Sequence, residues 1–285
     1  MYNNLCIGGG GIKVISFLGV LKYLKNNNFL PHKNFKKLIG VSAGAILCFL
    51  LNIGYSVKEM EEFALTFNFS KLLPESNTEN LLFYYGLGTS NKLKKVLILL
   101  LKNKLQIEKI SFTELFKKTK IKLQIGITNL NTNKFELWDY QSKPDINIIE
   151  AVTISCNLPF VFRPIKFNKE LLIDGGILNN FPMNYLSDKE LNSTIGMCCT
   201  NNNNQTFDNI FEYISKIFTM VTSNKDKIRL EHFKNKTDII EINSIDNTLD
   251  FQLTSDIIKN RIKLGYEQTK KFFSNKKIYK RRNSI

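Results

Sequence analysis

The sequence predicts an α/β fold: an open, mostly parallel sheet with helices on both faces, stacked as three layers. Two observations carry that expectation. Short apolar runs of strand length alternate along the chain with amphipathic stretches of helical length, the pattern of strands joined by helical crossovers. Three sharp glycine-containing loops, at 8–11, 40–44 and 174–176, fall where predicted strands end. In open sheets of this kind the working residues collect at the carboxyl ends of the strands.

Taken in order, residues 3–8 read as a short buried strand, the glycines turn it, and an amphipathic helix runs from about 12 to 24. A second strand ends at Gly40 and is followed by helices at 43–53 and 56–67, with weaker ones near 79–86 and 91–105. Ser111 and Glu114 have the spacing of a capping box that opens another short helix. Alternating residues over 122–128 and 134–138, around Asn131-Thr132-Asn133, predict a hairpin. A helix near 146–155 precedes Pro159 and Pro164, which interrupt regular structure, and Leu171-Leu172-Ile173 is a strand that ends in Asp174. Strands at 194–199 and 237–242 then alternate with helices near 207–223 and 254–273. No linker divides the chain, so residues 1–275 are expected to form one domain and 276–285 a basic tail.

The 285 residues carry a net charge of +15, unevenly spread: +7 over 1–58, +8 over 92–122, +9 over 259–285 and −9 over the rest. Concentrated positive charge favours an anionic partner, here a phospholipid or membrane surface, with Phe272, Phe273 and Tyr279 spaced among the C-terminal cations as candidates for the interface. Nucleic acid is the competing partner and no recognition motif supports it; a lysine-rich solvated surface accounts for the same charge. The N-terminus lacks a basic segment and a cleavage site, and the apolar run 96–101 is too short to span a bilayer, so a cytoplasmic location with peripheral membrane association is expected. Five cysteines, in apolar runs and without a Cys-X-X-Cys pair, read as buried thiols.

Ser42 stands in Gly40-Val41-Ser42-Ala43-Gly44, between the end of an apolar strand and the start of an apolar helix. That is the pattern of a nucleophile elbow, in which a strained turn exposes the hydroxyl and glycines on either side permit close packing. Gly40 and Gly44 are expected to lie where a side chain would strike the neighbouring strand. The free N–H groups at the helix start favour negative charge beside Ser42.

The run Gly8-Gly9-Gly10-Gly11 also opens a helix, with Lys13 one turn in, so that successive N–H groups converge on one anion. A phosphate cradle is one reading, but Gly-X-Gly-X-X-Gly fails at Val14 and no Walker sequence is present. An oxyanion hole for a tetrahedral intermediate on Ser42 is the other. A serine nucleophile needs a base. Ser42, Asp174 and His232 occur in the order of a hydrolase triad, although His232 lies in the polar stretch 229–234, which reads as an exposed helix. Asp174, at the end of an apolar strand and followed by Gly175 and Gly176, is the better-placed base.

The three loops together resemble the patatin-like phospholipase family: Gly9-Gly10-Gly11-Ile12-Lys13 its oxyanion loop, 40–44 its elbow, and Asp174-Gly175-Gly176 its aspartate motif. The likeness continues through Leu158-Pro159-Phe160-Val161-Phe162-Arg163-Pro164 and Asn180-Phe181-Pro182, and covers roughly residues 3–200. The resemblance implies a patatin-like three-layer fold and cleavage of phospholipid, lysophospholipid or neutral-lipid esters. It implies Ser42 as nucleophile and Asp174 as the sole base of a dyad, with no histidine, metal or cofactor. A transacylase and a lipid-binding homologue without activity are the alternatives. Two positions depart from the family pattern: Val14 stands where glycine is usual, and Cys156-Asn157 where small apolar residues are frequent. Leu81, Leu82, Phe83 and Tyr84 are expected in the core, or else lining or lidding an acyl pocket.

Overall fold

The computed structural model describes residues 2–30, 35–74, 78–200, 230–244 and 249–282, with a few positions between 210 and 220. Ten strands are described. β1 (Asn4–Ile7), β2 (Lys37–Val41), β4 (Lys122–Asn129), β5 (Lys134–Trp138), β7 (Ile165–Phe167), β8 (Glu170–Asp174), β9 (Thr194–Thr200) and β10 (Asp238–Asn243) form one sheet in the order β10-β9-β1-β2-β4-β8-β7, with β5 also on β4. β3 (Gly86–Gly88) and β6 (Phe160–Phe162) pair separately.

The strands from β10 to β4 are parallel. Their apolar side chains are needed on both faces because helices cover both, and β1 is accordingly buried at every position. The hairpin expected around 131–133 forms, with β5 antiparallel to β4. β8 also runs antiparallel to β4, so Asp174 stands at the carboxyl end of a strand that points against the parallel set. An apolar run identifies a strand without fixing its direction.

The helices are α1 (Ser16–Asn26), α2 (Ala43–Asn52), α3 (Val57–Thr66), α4 (Thr78–Tyr84), α5 (Asn91–Leu105), α6 (Phe112–Thr119), α7 (Ile148–Ser155), α8 (Gly176–Asn179), α9 (Asp188–Leu191) and α10 (Ser255–Arg282). The first predicted helix begins as a 3-10 turn, Gly11–Ile15, before α1. The capping box holds: Glu114 N–H donates to Ser111 Oγ at 3.2 Å and Ser111 N–H to the Glu114 carboxylate at 2.8 Å. The helix expected near 207–223 lies mostly outside the described residues.

α10 packs along α1 through two glycines. A Cβ on Gly19 would stand 1.9 Å from Ile262 O, and one on Gly265 1.8 Å from Ser16 O, so the backbones touch. The contact extends into an aromatic stack, with Phe273 over Phe29 at 4.2 Å and against Tyr23 at 5.8 Å. Phe273 is therefore buried and Phe272 packs beside it, which removes both from the membrane-facing role their lysine neighbours indicated. α10 continues past the expected end at 273 to Arg282, as no glycine or proline interrupts it beyond Gly265. No helix of the described residues is long and apolar enough to cross a membrane.

Candidate active site

β2 stops three residues before the end of β4. Val41 pairs with Gly126, and the next position on the same edge of β4, Ile127, is taken by Asp174 of β8. β5 occupies the opposite edge over Ile125 to Asn129. β2 and β8 thus run head to head along one edge of β4, and Ser42, the residue after Val41, meets Asp174 in the gap between them.

Ser42 is the N-terminal cap of α2 and has φ 54° and ψ −133°, a backbone state that costs a non-glycine residue about 1–3 kcal/mol. Its hydroxyl does not cap the helix. Instead Ser42 Oγ donates to Asp174 Oδ2 at 2.6 Å, and Gly176 N–H donates to Asp174 Oδ1 at 2.7 Å. The strained turn is held by Ser42 N–H donating to Ser155 Oγ at 2.9 Å, while the Ser155 hydroxyl donates to Gly126 O at 2.6 Å. Ser155, at the end of α7 and fully buried, therefore ties the elbow to β4. Nothing in the sequence singled it out; its one trace is a small polar residue at the end of a mostly apolar helix.

Asp174 is 1% exposed, and burial pushes its carboxyl up to about 7, against the opposing pull of the hydrogen bonds from Ser42 and Gly176. Its N–H donates to Asn157 O at 3.1 Å, and Asn157 Nδ2 donates to Arg163 O at 2.8 Å, so the unexpected Asn157 braces the acid. Cys156 lines the cavity, its thiol held well up by burial and by the Asp174 charge. A hydroxyl in contact with a buried carboxylate whose affinity for protons lies near neutrality can pass its proton to that carboxylate.

The glycines act chiefly by letting backbones approach. A Cβ on Gly44 would stand 2.4 Å from Ile7 O, and one on Gly175 2.3 Å from Gly126 O. At Gly40 the collision is with the start of α2, Ala45 Cα at 2.6 Å, rather than with a neighbouring strand. A Cβ on Gly9 would lie 2.8 Å from Ser42 Cβ, so this loop passes directly over the serine. Gly8 N–H donates to Met197 O at 2.9 Å and Gly9 N–H to Asn180 O at 3.3 Å. The N–H groups of Gly10 and Gly11 make no such bond among the described residues. Lys13 is buried at 2% exposure and is not among the residues lining the cavity beside Ser42. Val14 does line that cavity and has no positive φ, so the β-branched residue sits in ordinary helical backbone.

That cavity holds about 170 Å³ and opens beside Ser42 and Asp174, the two polar side chains of its wall. The remainder is apolar, from Ile12, Ile46, Leu50 and Met60 to Phe63 and Phe162. Leu81, Leu82, Phe83 and Tyr84 are absent from it, and the last three are exposed, which corrects the expectation that they form core or line the pocket. His232 is exposed on a short helical turn with its ring edge-on to Phe233, and His32 lies outside the described residues. Among the described residues no three His, Cys, Asp or Glu side chains converge as a metal site requires.

A model of the family described as patatin-like phospholipase matches residues 5–187, and the chain belongs to that family. A protein of Invertebrate iridescent virus 6, named a probable lipid hydrolase, is 34% identical over 188 residues, 64% of this chain and 62% of its own length. An uncharacterized protein of Acanthamoeba polyphaga mimivirus is 28% identical over 262 residues, 88% of this chain and 86% of its own. Among solved structures, VipD from Legionella pneumophila superposes with a TM-score of 0.70 at 16% identity, covering 96% of this chain and 67% of VipD. The type III effector ExoU superposes with a TM-score of 0.54 at 13% identity, over 96% of this chain and 53% of ExoU.

Proposed function

We propose that the protein is a membrane-recruited lipid acyl hydrolase of phospholipase A or lysophospholipase type, working through a Ser42–Asp174 dyad and an acyl-serine intermediate. The observation that carries this reading is the 2.6 Å hydrogen bond from Ser42 Oγ to a buried carboxylate at the mouth of an apolar cavity. Asp174 takes the hydroxyl proton as Oγ attacks the ester carbonyl, and the carbonyl oxygen becomes the oxyanion. The N–H groups of Gly10 and Gly11, without partners among the described residues, supply donors for that charge, each worth roughly 3 kcal/mol in sites of this type. Asp174 then gives the proton to the departing alcohol, the acyl group stays on Ser42, and the apolar wall holds its chain. Water enters, loses a proton to Asp174, attacks the acyl carbonyl and releases the fatty acid, with the proton returned to Ser42.

A homologue that binds lipid without turnover would need a damaged oxyanion loop, and the helical backbone at Val14 gives that reading no support. Incubation with a fluorophosphonate probe tests whether Ser42 is activated: wild type is labelled, Ser42→Ala is not, and fatty acid release from phospholipid vesicles vanishes in Ser42→Ala and Asp174→Asn. Full activity in either variant, or no labelling of wild type, overturns the dyad.

A further inference from the structure

The segment that the sequence assigned to the core is the most exposed apolar surface among the described residues. Leu82, Phe83 and Tyr85 are 77%, 73% and 68% exposed, and Tyr84 and Phe160 are more than half exposed. They form one patch, because β3 pairs with β6 in parallel and Gly86 lies opposite Phe160, directly after Tyr85. The tip is fastened in place: the Arg163 guanidinium lies 4.0 Å over the Tyr84 ring while its Nη2 donates to Asn80 Oδ1 at 2.6 Å, and Asn80 Nδ2 donates to Leu87 O at 3.1 Å.

The strand that carries Phe160 and the helix that follows β3 also contribute to the cavity wall. Phe162, two residues after the exposed Phe160 and therefore on the same strand, lines the cavity, as does Leu93 of α5. Lys92 and Lys95, in the first turns of α5 and seven and ten residues after Tyr85, are exposed, with Lys92 Nζ donating to Leu73 O at 3.2 Å. An exposed aromatic tip followed by exposed lysines and joined through β6 to an apolar cavity suits an anionic bilayer surface, in which rings enter the interface and ammonium groups meet lipid phosphates.

We propose that the tip formed by residues 82–85 and Phe160 docks on anionic phospholipid bilayers, with Lys92 and Lys95 meeting the headgroups, and brings the acyl cavity to the membrane surface. This rests on the lipid hydrolase reading for the meaning of the cavity, but the docking itself is measurable without turnover. It also moves the membrane contact from the C-terminal helix, where Phe272 and Phe273 are packed into the core, to the segment 82–95, at the start of the middle basic region.

The test is sedimentation with mixed phosphatidylcholine–phosphatidylserine vesicles and with phosphatidylcholine vesicles alone, alongside hydrolysis of a short-chain nitrophenyl ester that needs no bilayer. Leu82→Ser with Phe83→Ser removes two exposed apolar side chains and should lower the vesicle partition coefficient about tenfold to hundredfold. Its turnover of the soluble ester should stay at the wild-type rate, while fatty acid release from vesicles falls in step with binding. Lys92→Glu with Lys95→Glu should abolish the preference for phosphatidylserine vesicles. Leu130→Ser, a change at an exposed leucine on the β4–β5 turn, should leave binding unchanged. Wild-type vesicle binding by the double serine variant overturns the proposal, as does loss of a self-associated species in that variant with vesicle binding intact, which would make the patch a contact between protein copies. Absence of soluble-ester turnover in wild type with vesicle binding still dependent on Leu82 and Phe83 would instead overturn the hydrolase reading and leave the docking surface standing.

Discussion

Replacing Asp174 by Asn should abolish turnover and stabilise the protein, and the stabilisation should depend on pH in a defined way. The carboxyl rises from 3.8 to about 7 on folding because burial disfavours its charged form. Between those two values the native state holds a proton that the unfolded state has released, so stability falls as pH rises, by about 1.4 kcal/mol per unit. The accumulated cost is about 4 kcal/mol above the folded value and is absent below the unfolded one. Asn carries no charge at any of these pH values. It retains both contacts, its Oδ1 accepting from Gly176 N–H and its amide donating to Ser42 Oγ, whose hydroxyl rotates to accept. Urea unfolding followed by the fluorescence of Trp138, the sole tryptophan and a buried one, should show the stability difference between variant and wild type widening by about 3 kcal/mol from about pH 5 to about pH 8.5, with the variant the more stable at the higher pH. Wild-type turnover should rise with pH through about 7 and then level off, since the base works in its ionised form. A stability difference that stays constant with pH, or turnover flat across that range, refutes the assignment of a buried carboxyl as base.

Three further outcomes follow from the geometry. Ser155→Ala strands the Ser42 N–H and the Gly126 carbonyl; unfolding should become easier by about 2–5 kcal/mol in urea melts, and fluorophosphonate labelling of Ser42 should slow because the elbow loses its brace. Gly265→Ala forces α10 away from α1, where the new Cβ would stand 1.8 Å from Ser16 O, and calorimetry should show a lower Tm corresponding to about 3 kcal/mol. His232→Ala, at an exposed position outside the cavity wall, should turn over vesicle phospholipid at the wild-type rate, and a large loss would revive the triad.

Where a feature depends on neighbours in the chain, residue order was enough to read it. The capping box at Ser111 and Glu114 closes within three residues, and the hairpin between β4 and β5 within a short turn. Even the strained φ of Ser42 follows from a serine wedged between an apolar strand and an apolar helix start with glycines on both sides. Where a feature depends on which layer covers a residue, residue order misled in both directions. Leu82, Phe83 and Tyr84 have core composition, yet among the described residues they stay exposed, with only the Arg163 guanidinium over the Tyr84 ring. Phe272 and Phe273 sit among lysines, yet the 3.6-residue period turns them toward α1 while the lysines face outward.

The amino-acid order thus determined the chemistry available: an elbow serine, an aspartate at a strand end, a glycine loop with donors to spare, and enough apolar periodicity for a parallel sheet. The tertiary structure decided that this chemistry meets. Ser42 and Asp174 are 132 positions apart, and they touch because β2 stops three residues short on the edge of β4 and β8 arrives there from the opposite direction. Strand direction and edge are set by which backbone hydrogen bonds form between distant segments, which no local run of residues encodes. Ser155, buried and bridging the elbow to Gly126, acquires its part only once those segments are side by side.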